Sequence, residues 1–224
     1  CVHCYNYWRN GENSLRPQTL SDGQITGVLD NLGKHGIFHL TITGGEPLLF
    51  KEKTFRLIRE ATSRGIDCSL NSNLYSVTPE DAQRLQGTGV SFVLTSLPSA
   101  DPQTHDFITQ HPGSFRETFQ GIESLLRFGI PVGVNMVISK FNQNQIYETG
   151  RFLKEVGVNY FYATKASPPL TSRNFEAIRA DRAAIKESLA ILTSLSGEFG
   201  MVTDILECYP LCLIGDVEKF EKFA

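Results

Sequence analysis

The stretch Gly-Ile-Phe-His-Leu-Thr-Ile-Thr-Gly-Gly-Glu-Pro, residues 36–47, indicates the fold of this chain. It contains a glycine that can close a helix, a β-branched and apolar strand, and a glycine-rich loop after the strand. The junction of a glycine with a β-branched residue recurs at residues 65–66, 89–90, 129–130 and 157–158. Each recurrence predicts the end of a helix, a tight turn and the start of a buried strand.

These junctions predict five short, mostly apolar strands of a parallel sheet, over residues 38–43, 66–70, 91–97, 132–138 and 159–164. Helices are expected over residues 22–34, 51–64, 79–86, 114–128, 143–156 and 178–195. Thr78 before Pro79, and Ser114 in a Ser-x-x-Glu spacing, are expected to cap two of them. Such alternation builds either a doubly wound sheet or a (β/α) barrel. Five strands, with a sixth expected before Cys1, suit a partial (β/α)6 TIM-like barrel.

The composition narrows the classes of function. The chain has 224 residues, of which 41% are hydrophobic and 20% charged, and this is typical of a soluble globular protein. Its net charge of -3 and pI near 6.0 leave no basic face for nucleic acid. No run of about 18 apolar residues is present to span a membrane. We therefore expect neither nucleic acid nor a membrane as a partner.

The cysteines are too few for a disulfide scaffold and are concentrated at the two ends of the chain. Cys1 and Cys4 form a Cys-x-x-Cys pair, and Cys208 and Cys212 form a second pair. The Cys-x-x-Cys spacing of Cys1 and Cys4 is compatible with half a zinc site, a thioredoxin-like dithiol or two thiolates of an iron-sulfur cluster, and spacing alone does not choose among them. Cys68 lies inside a predicted strand, so we expect it to be structural.

Polar residues follow the predicted strands, at the edge where parallel α/β folds place their chemistry. Gly44 and Gly45 let the backbone approach a ligand closely, although the same stretch is compatible with an ordinary turn. Ser72 lies in an Asn-Ser-Asn turn, and Ser96 ends the next strand. Asn135 lies within an apolar strand, so its amide is either hydrogen-bonded internally or directed at a ligand.

Together these features resemble the radical S-adenosylmethionine (radical SAM) enzymes. Cys1 and Cys4 match the second and third cysteines of the family's Cys-x-x-x-Cys-x-x-Cys loop, and residues 44–47 match its Gly-Gly-Glu-Pro motif. The first cysteine of that loop is then expected four residues before Cys1, in a longer natural chain. The resemblance implies a partial barrel of the radical SAM type over residues 1–200.

Residues 96–115, with a His-Asp pair and a Gly-Ser-Phe stretch, resemble one branch of this family. That branch comprises peptide- and protein-modifying members with a SPASM or twitch auxiliary iron-sulfur domain. The resemblance implies that residues 201–224 begin such a region, with Cys212 as its first cluster ligand. Residues 107–112 lack the arginine that the family often places there for the S-adenosylmethionine carboxylate, and Pro98 replaces a common aspartate.

The resemblance further implies a 4Fe-4S cluster on Cys1 and Cys4, which cleaves S-adenosylmethionine to a 5'-deoxyadenosyl radical. Gly44, Gly45 and Glu46 would receive the amino group of S-adenosylmethionine. Ribose, carboxylate or adenine contacts would come from the strand residues Ser72, Ser96, Asn135 and Tyr162.

The resulting hypothesis is a cytoplasmic maturase that abstracts hydrogen from a peptide or protein and is reduced by flavodoxin or ferredoxin. One alternative is a radical SAM enzyme for a heme or quinone-cofactor precursor or another small molecule. Further alternatives are a degenerate member that holds the cluster without turnover, and a non-catalytic zinc-binding barrel.

Overall fold

The computed structural model describes residues 1–2, 20–168, 175–207, 209–210, 214, 220 and 223. Its sheet consists of the parallel strands β1 His39–Ile42, β2 Asp67–Asn71, β3 Phe92–Ser96, β4 Val132–Ile138, β5 Tyr160–Lys165 and β6 Val202–Asp204. The strands follow one another in chain order, each paired with the next. Right-handed crossovers in this order place the connecting helices on a single face of the sheet. The predicted partial barrel is therefore confirmed, and the doubly wound alternative is wrong.

The helices are α1 Asp22–Lys34, α2 Lys51–Thr62, α3 Pro79–Gln86, α4 Pro102–Thr109, α5 Ser114–Arg127, α6 Ile146–Glu155, α7 Phe175–Ile178 and α8 Arg182–Phe199, with a 3-10 turn over Pro47–Phe50. The structure confirms that Thr78 caps α3, since its hydroxyl accepts a hydrogen bond from the Asp81 N–H. Within the part of the chain that is described, no helix is long and apolar enough to cross a membrane.

Several elements differ from the sequence predictions, among them α7, which was not predicted, and α8, which begins at Arg182 rather than at residue 178. Gly113, at φ 83°, precedes α5 as its N-cap, so the prediction that Ser114 caps this helix is wrong. The Ser114 hydroxyl instead donates to Asp106, at 3.0 Å. The helix α4 was not predicted, although Asp101 caps it and proline occupies its first position. The short strand β6, which continues the sheet beside β5, was not predicted.

The two faces of the sheet have different environments. Phe161 fills the space beside Gly150 of α6, so it points toward the helices, and its neighbours Tyr160 and Tyr162 point the opposite way. We call this opposite side the inner face. In-register pairing extends it across the sheet to positions 39, 41, 67, 69, 71, 92, 94, 96, 133, 135, 137, 160, 162, 164, 202 and 204.

Close packing on the helix side fixes the loop that follows β2. Gly121 of α5 lies so near Leu74 that an added Cβ would meet the Leu74 Cβ and carbonyl oxygen at 2.8 Å. Leu74 itself has a φ of 56°, in the left-handed region that non-glycine residues rarely adopt. Tight contact with α5 therefore holds this loop in one conformation.

This contact can be tested with a matched pair of glycine substitutions in helices. Gly121→Ala is expected to lower the free energy of unfolding by about 1–3 kcal/mol, because backbone must move to admit the methyl group. Gly197→Ala in α8, where nothing lies within 4 Å of the added Cβ, is expected to raise it by up to about 1 kcal/mol. Urea denaturation measures both values, and equal stability of the two variants would contradict this packing.

Candidate functional site

The carboxylate of Glu46 ties together the carboxyl ends of β1 and β2. Its Oε1 accepts hydrogen bonds from the Leu48 N–H at 2.9 Å and the Ser72 hydroxyl at 2.7 Å. Its Oε2 accepts one from the Asn73 N–H at 2.8 Å. Because an ionised carboxylate offers about four acceptor positions, roughly one remains for a ligand. Glu46 therefore acts mainly as a brace for the loop that contains it.

Unlike the carboxylate of Glu46, the backbone groups of the two preceding glycines are not used in hydrogen bonds with the described residues. Gly44 and Gly45 are exposed, and their backbone groups form no hydrogen bond with any described residue. Gly44 has a φ of 152°, and an added Cβ at either position would meet nothing within 4 Å. Strong backbone donors and acceptors are thus presented to the space above the sheet, on a loop held rigid from one side.

Ser72 lies beside this loop, yet its hydroxyl is already engaged. It donates to Glu46 and accepts from the Leu74 N–H at 3.0 Å, and the residue is 7% exposed. The Thr118 hydroxyl of α5 also donates to the carbonyl of Asn73, the next residue, at 3.1 Å. Ser72 is therefore a positioning residue for the loop.

The other predicted contacts form a row on the inner face. Ser96 is paired in register with Asn135, and Asn135 with Tyr162. Strands lie about 4.8 Å apart, so the row spans roughly 10 Å. The Asn135 Oδ1 accepts from the Thr164 hydroxyl at 2.9 Å, which fixes the amide and leaves its Nδ2 donors directed away from that contact. This row presents a hydroxyl, an amide and a phenol side by side.

Asp204, which was not predicted from the sequence as a site residue, extends the row by one position. It pairs in register with Tyr162, and its Oδ1 accepts from the Ile205 N–H at 2.7 Å. Burial, and then the nearby Asp204 carboxylate, raise the pKa of the Tyr162 phenol. Tyr162 is therefore a neutral hydrogen-bonding group at physiological pH. Asp204 could have been predicted only by recognising strand β6, and a strand of three residues is too short to show a pattern in the sequence.

The His-Asp pair of the motif over residues 96–115 has a structural role here. Asp106 accepts from the N–H groups of Gly113 at 2.5 Å and Phe115 at 2.8 Å, at the start of α5. Burial opposes ionisation of this carboxyl, but these hydrogen bonds lower its pKa. His105 is 1% exposed, and burial lowers its pKa. This pair therefore fixes the connection between α4 and α5.

The predicted metal ligands are described only in part. Cys1 is exposed, and the adjacent Val2 N–H donates to the carbonyl oxygen of Ile108 in α4 at 2.8 Å, near the carboxyl end of the sheet. Cys4 and Cys212 lie outside the described residues. Cys68 is fully buried in β2, and burial raises the pKa of its thiol to about 11, as expected for a core residue. Among the described residues, no three His, Cys, Asp or Glu side chains converge as a metal site.

The chain is similar to known proteins of one enzyme superfamily. The model of the Radical SAM superfamily matches residues 1–153. An AdoMet-dependent heme synthase of Methanosarcina barkeri (strain Fusaro) is 32% identical over 158 residues, covering 70% of this chain and 44% of that protein. The sporulation killing factor maturation protein SkfB of Bacillus subtilis (strain 168) is 30% identical over 185 residues, covering 81% of this chain and 43% of that protein.

A solved structure has the same architecture. Streptococcus suis SuiB bound to its precursor peptide SuiA aligns with a TM-score of 0.77 at 15% identity, covering 97% of this chain and 48% of that one. At this identity the likeness shows the fold, and it agrees with the partial barrel described above. The chain spans less than half the length of each of these three proteins.

The bracing role of Glu46 is directly testable. Glu46→Gln is expected to lower the free energy of unfolding by about 1–3 kcal/mol, because the amide NH2 would face the Asn73 N–H and leave two donors opposed. Glu52→Gln is the control. Its carboxylate pairs with Arg84 at 2.6 Å on the surface, so its loss should cost at most about 0.5 kcal/mol. Thermal and urea unfolding give the comparison, and an unchanged stability of Glu46→Gln would show that the brace is unimportant.

Proposed function

Since this chain belongs to the radical SAM superfamily, we propose that the natural protein reductively cleaves S-adenosylmethionine and uses the radical to abstract hydrogen from a peptide or protein substrate. The observation that carries this proposal is the loop at Gly44 and Gly45. Its backbone groups form no hydrogen bonds with described residues, and the Glu46 carboxylate braces it at the carboxyl edge of the sheet. This arrangement suits a ligand that brings an ammonium group.

We assign the cofactor contacts by position. Cys1 and Cys4, with a cysteine expected before them, would hold the 4Fe-4S cluster and leave one iron open to S-adenosylmethionine. When bound, the cluster and S-adenosylmethionine supply the electron and the 5'-deoxyadenosyl radical. The Gly44 and Gly45 backbone and the spare acceptor position of Glu46 would receive the methionine ammonium group.

The row on the inner face would hold the remainder of S-adenosylmethionine. Ser96 and the Nδ2 of Asn135 can donate to ribose hydroxyls or the carboxylate, and Tyr162 can lie against the adenine. Ser72 would act indirectly through Glu46. The neutral amide and hydroxyl donors in this row offer an alternative to the arginine that residues 107–112 lack.

A peptide or protein substrate is supported by the similarity to SkfB, a maturation protein, and by the fold of SuiB, solved with a precursor peptide. A heme precursor is the second candidate, because the Methanosarcina barkeri heme synthase is 32% identical. We further propose an auxiliary cluster region after β6, with Cys212 as its first ligand. Reduction by flavodoxin or ferredoxin and a cytoplasmic location complete the proposal.

Cysteine variants of the natural full-length chain test this function. After anaerobic reconstitution with iron and sulfide, the reduced protein is expected to form 5'-deoxyadenosine from S-adenosylmethionine, measured by chromatography. Cys4→Ala should abolish this product, because the cluster loses a thiolate ligand. Cys68→Ala is the matched control and should retain it, because this thiol lies in the core. Full activity of Cys4→Ala, or a colourless protein that binds zinc instead, would refute the proposal.

A further inference from the structure

A second polar group lies on the inner face, toward the beginning of β1 and β2 and away from Glu46. The His39 Nδ1 is 2.7 Å from the Asp67 carboxylate. The His39 Nε2 is 3.1 Å from the Ser69 hydroxyl and 3.2 Å from the Thr41 hydroxyl, and these two oxygens are 3.0 Å apart. We call His39, Thr41, Asp67 and Ser69 the His39 cluster. Its members come from adjacent strands in direct register.

The Asp67 carboxylate is the hydrogen-bond acceptor of the His39 cluster. Hydrogen bonds from Ser91 and His39 lower the pKa of Asp67, so it is a carboxylate that only accepts. The Nδ1–H of His39 therefore donates to Asp67. The hydroxyls of Thr41 and Ser69 lie within hydrogen-bond distance of Nε2 and of each other. The cluster consequently presents oxygen lone pairs to the space over the inner face, and these bind hydrogen-bond donors.

The inner face has two carboxylates, Asp67 in the His39 cluster and Asp204 outside it. Asp67 lies on β2 and Asp204 on β6, toward opposite sides of the sheet. Neutral side chains lie between them, including Phe92 and Tyr160, whose rings meet edge to face at 5.3 Å. None of the inner-face positions of the six described strands is lysine or arginine. The inner face of the six described strands therefore has carboxylates at its two sides, an aromatic centre, and no lysine or arginine to pair with an incoming anion.

We propose that the inner face accepts a neutral or cationic segment of polypeptide, whose amide or ammonium groups bind the His39 cluster, and that it disfavours a polycarboxylate tetrapyrrole. A carboxylate placed beside Asp67 would be desolvated next to a like charge, with no lysine or arginine of the inner face to pair with it. A peptide N–H or a lysine ammonium would find acceptors already oriented. This inference rests on the proposed function and narrows its substrate class to peptides.

Charge-selective alkylation of His39 tests the inference in the natural full-length chain. The probes are bromoacetamide, which is neutral, and bromoacetate, which is anionic, and both alkylate imidazole. His35 is the internal reference, since it is exposed at the end of α1 and lies on the same tryptic peptide, residues 35–51. Fragment-ion mass spectrometry then gives the ratio of His39 to His35 labelling for each reagent.

This ratio is expected to be at least about fivefold lower for bromoacetate than for bromoacetamide, because Asp67 repels the anion. Asp67→Asn should bring the two ratios together, whereas Asp30→Asn on the surface of α1 should leave them apart. Should Asp67→Asn fail to fold, Asp204→Asn provides a second variant, for which a smaller reduction of selectivity is expected. Equal labelling by both reagents, faster labelling by bromoacetate, or no labelling of His39 by either reagent would overturn the inference.

A tetrapyrrole probe completes the test. Coproporphyrin III, which carries four carboxylates, should leave the bromoacetamide labelling of His39 unchanged when added in excess. Selective protection of His39 but not His35 would instead support the heme-precursor class and overturn the inference. The labelling requires no S-adenosylmethionine. A protein that is charge-selective yet forms no 5'-deoxyadenosine would therefore refute the proposed function alone, and one that forms 5'-deoxyadenosine without charge selectivity would refute only this inference.

Discussion

The candidate site depends most on the hydrogen bonds that the Glu46 carboxylate accepts. By accepting hydrogen bonds from Leu48, Ser72 and Asn73, it joins the ends of two strands that lie in different parts of the sequence. The cost of ordering a glycine-rich loop is high, because glycine has the greatest conformational freedom to lose. The hydrogen bonds to Glu46 offset this cost. The loop can therefore stay ordered while the backbone N–H and C=O groups of Gly44 and Gly45 remain available to a ligand.

Alternating side chains give the two faces of the sheet different roles: one forms the core with the helices, and the other carries the polar groups of the candidate site. One face packs against helices, where Phe161 and Cys68 are fully buried and where Gly121 admits the loop at Leu74. The other face presents polar and aromatic groups in register, from the His39 cluster to Asp204. Because successive residues point to opposite faces, the same short strands supply the core and line the space above the inner face.

Much of the fold was predictable, because helix-closing glycines and β-branched strand starts are local signals. The strand β6 and the helix α4 were not identified, since three residues or two turns give too little periodicity. Within the candidate site, Gly44 and Glu46 were predicted from the sequence as ligand contacts, whereas the bracing role of the Glu46 carboxylate was not predicted. The His39–Asp67 pair was also missed, because its partners are 28 positions apart and meet only through strand register.

The most direct test of the account is the low-temperature EPR spectrum of the reduced, cluster-loaded natural chain, recorded before and after adding S-adenosylmethionine. The account predicts a reduced 4Fe-4S signal whose g values shift on addition, because S-adenosylmethionine would bind the open iron at the site proposed beside the Gly44–Gly45 loop. A cluster signal that S-adenosylmethionine leaves unchanged would contradict the assigned site. The absence of any iron-sulfur signal, in a protein that holds zinc, would contradict the account as a whole.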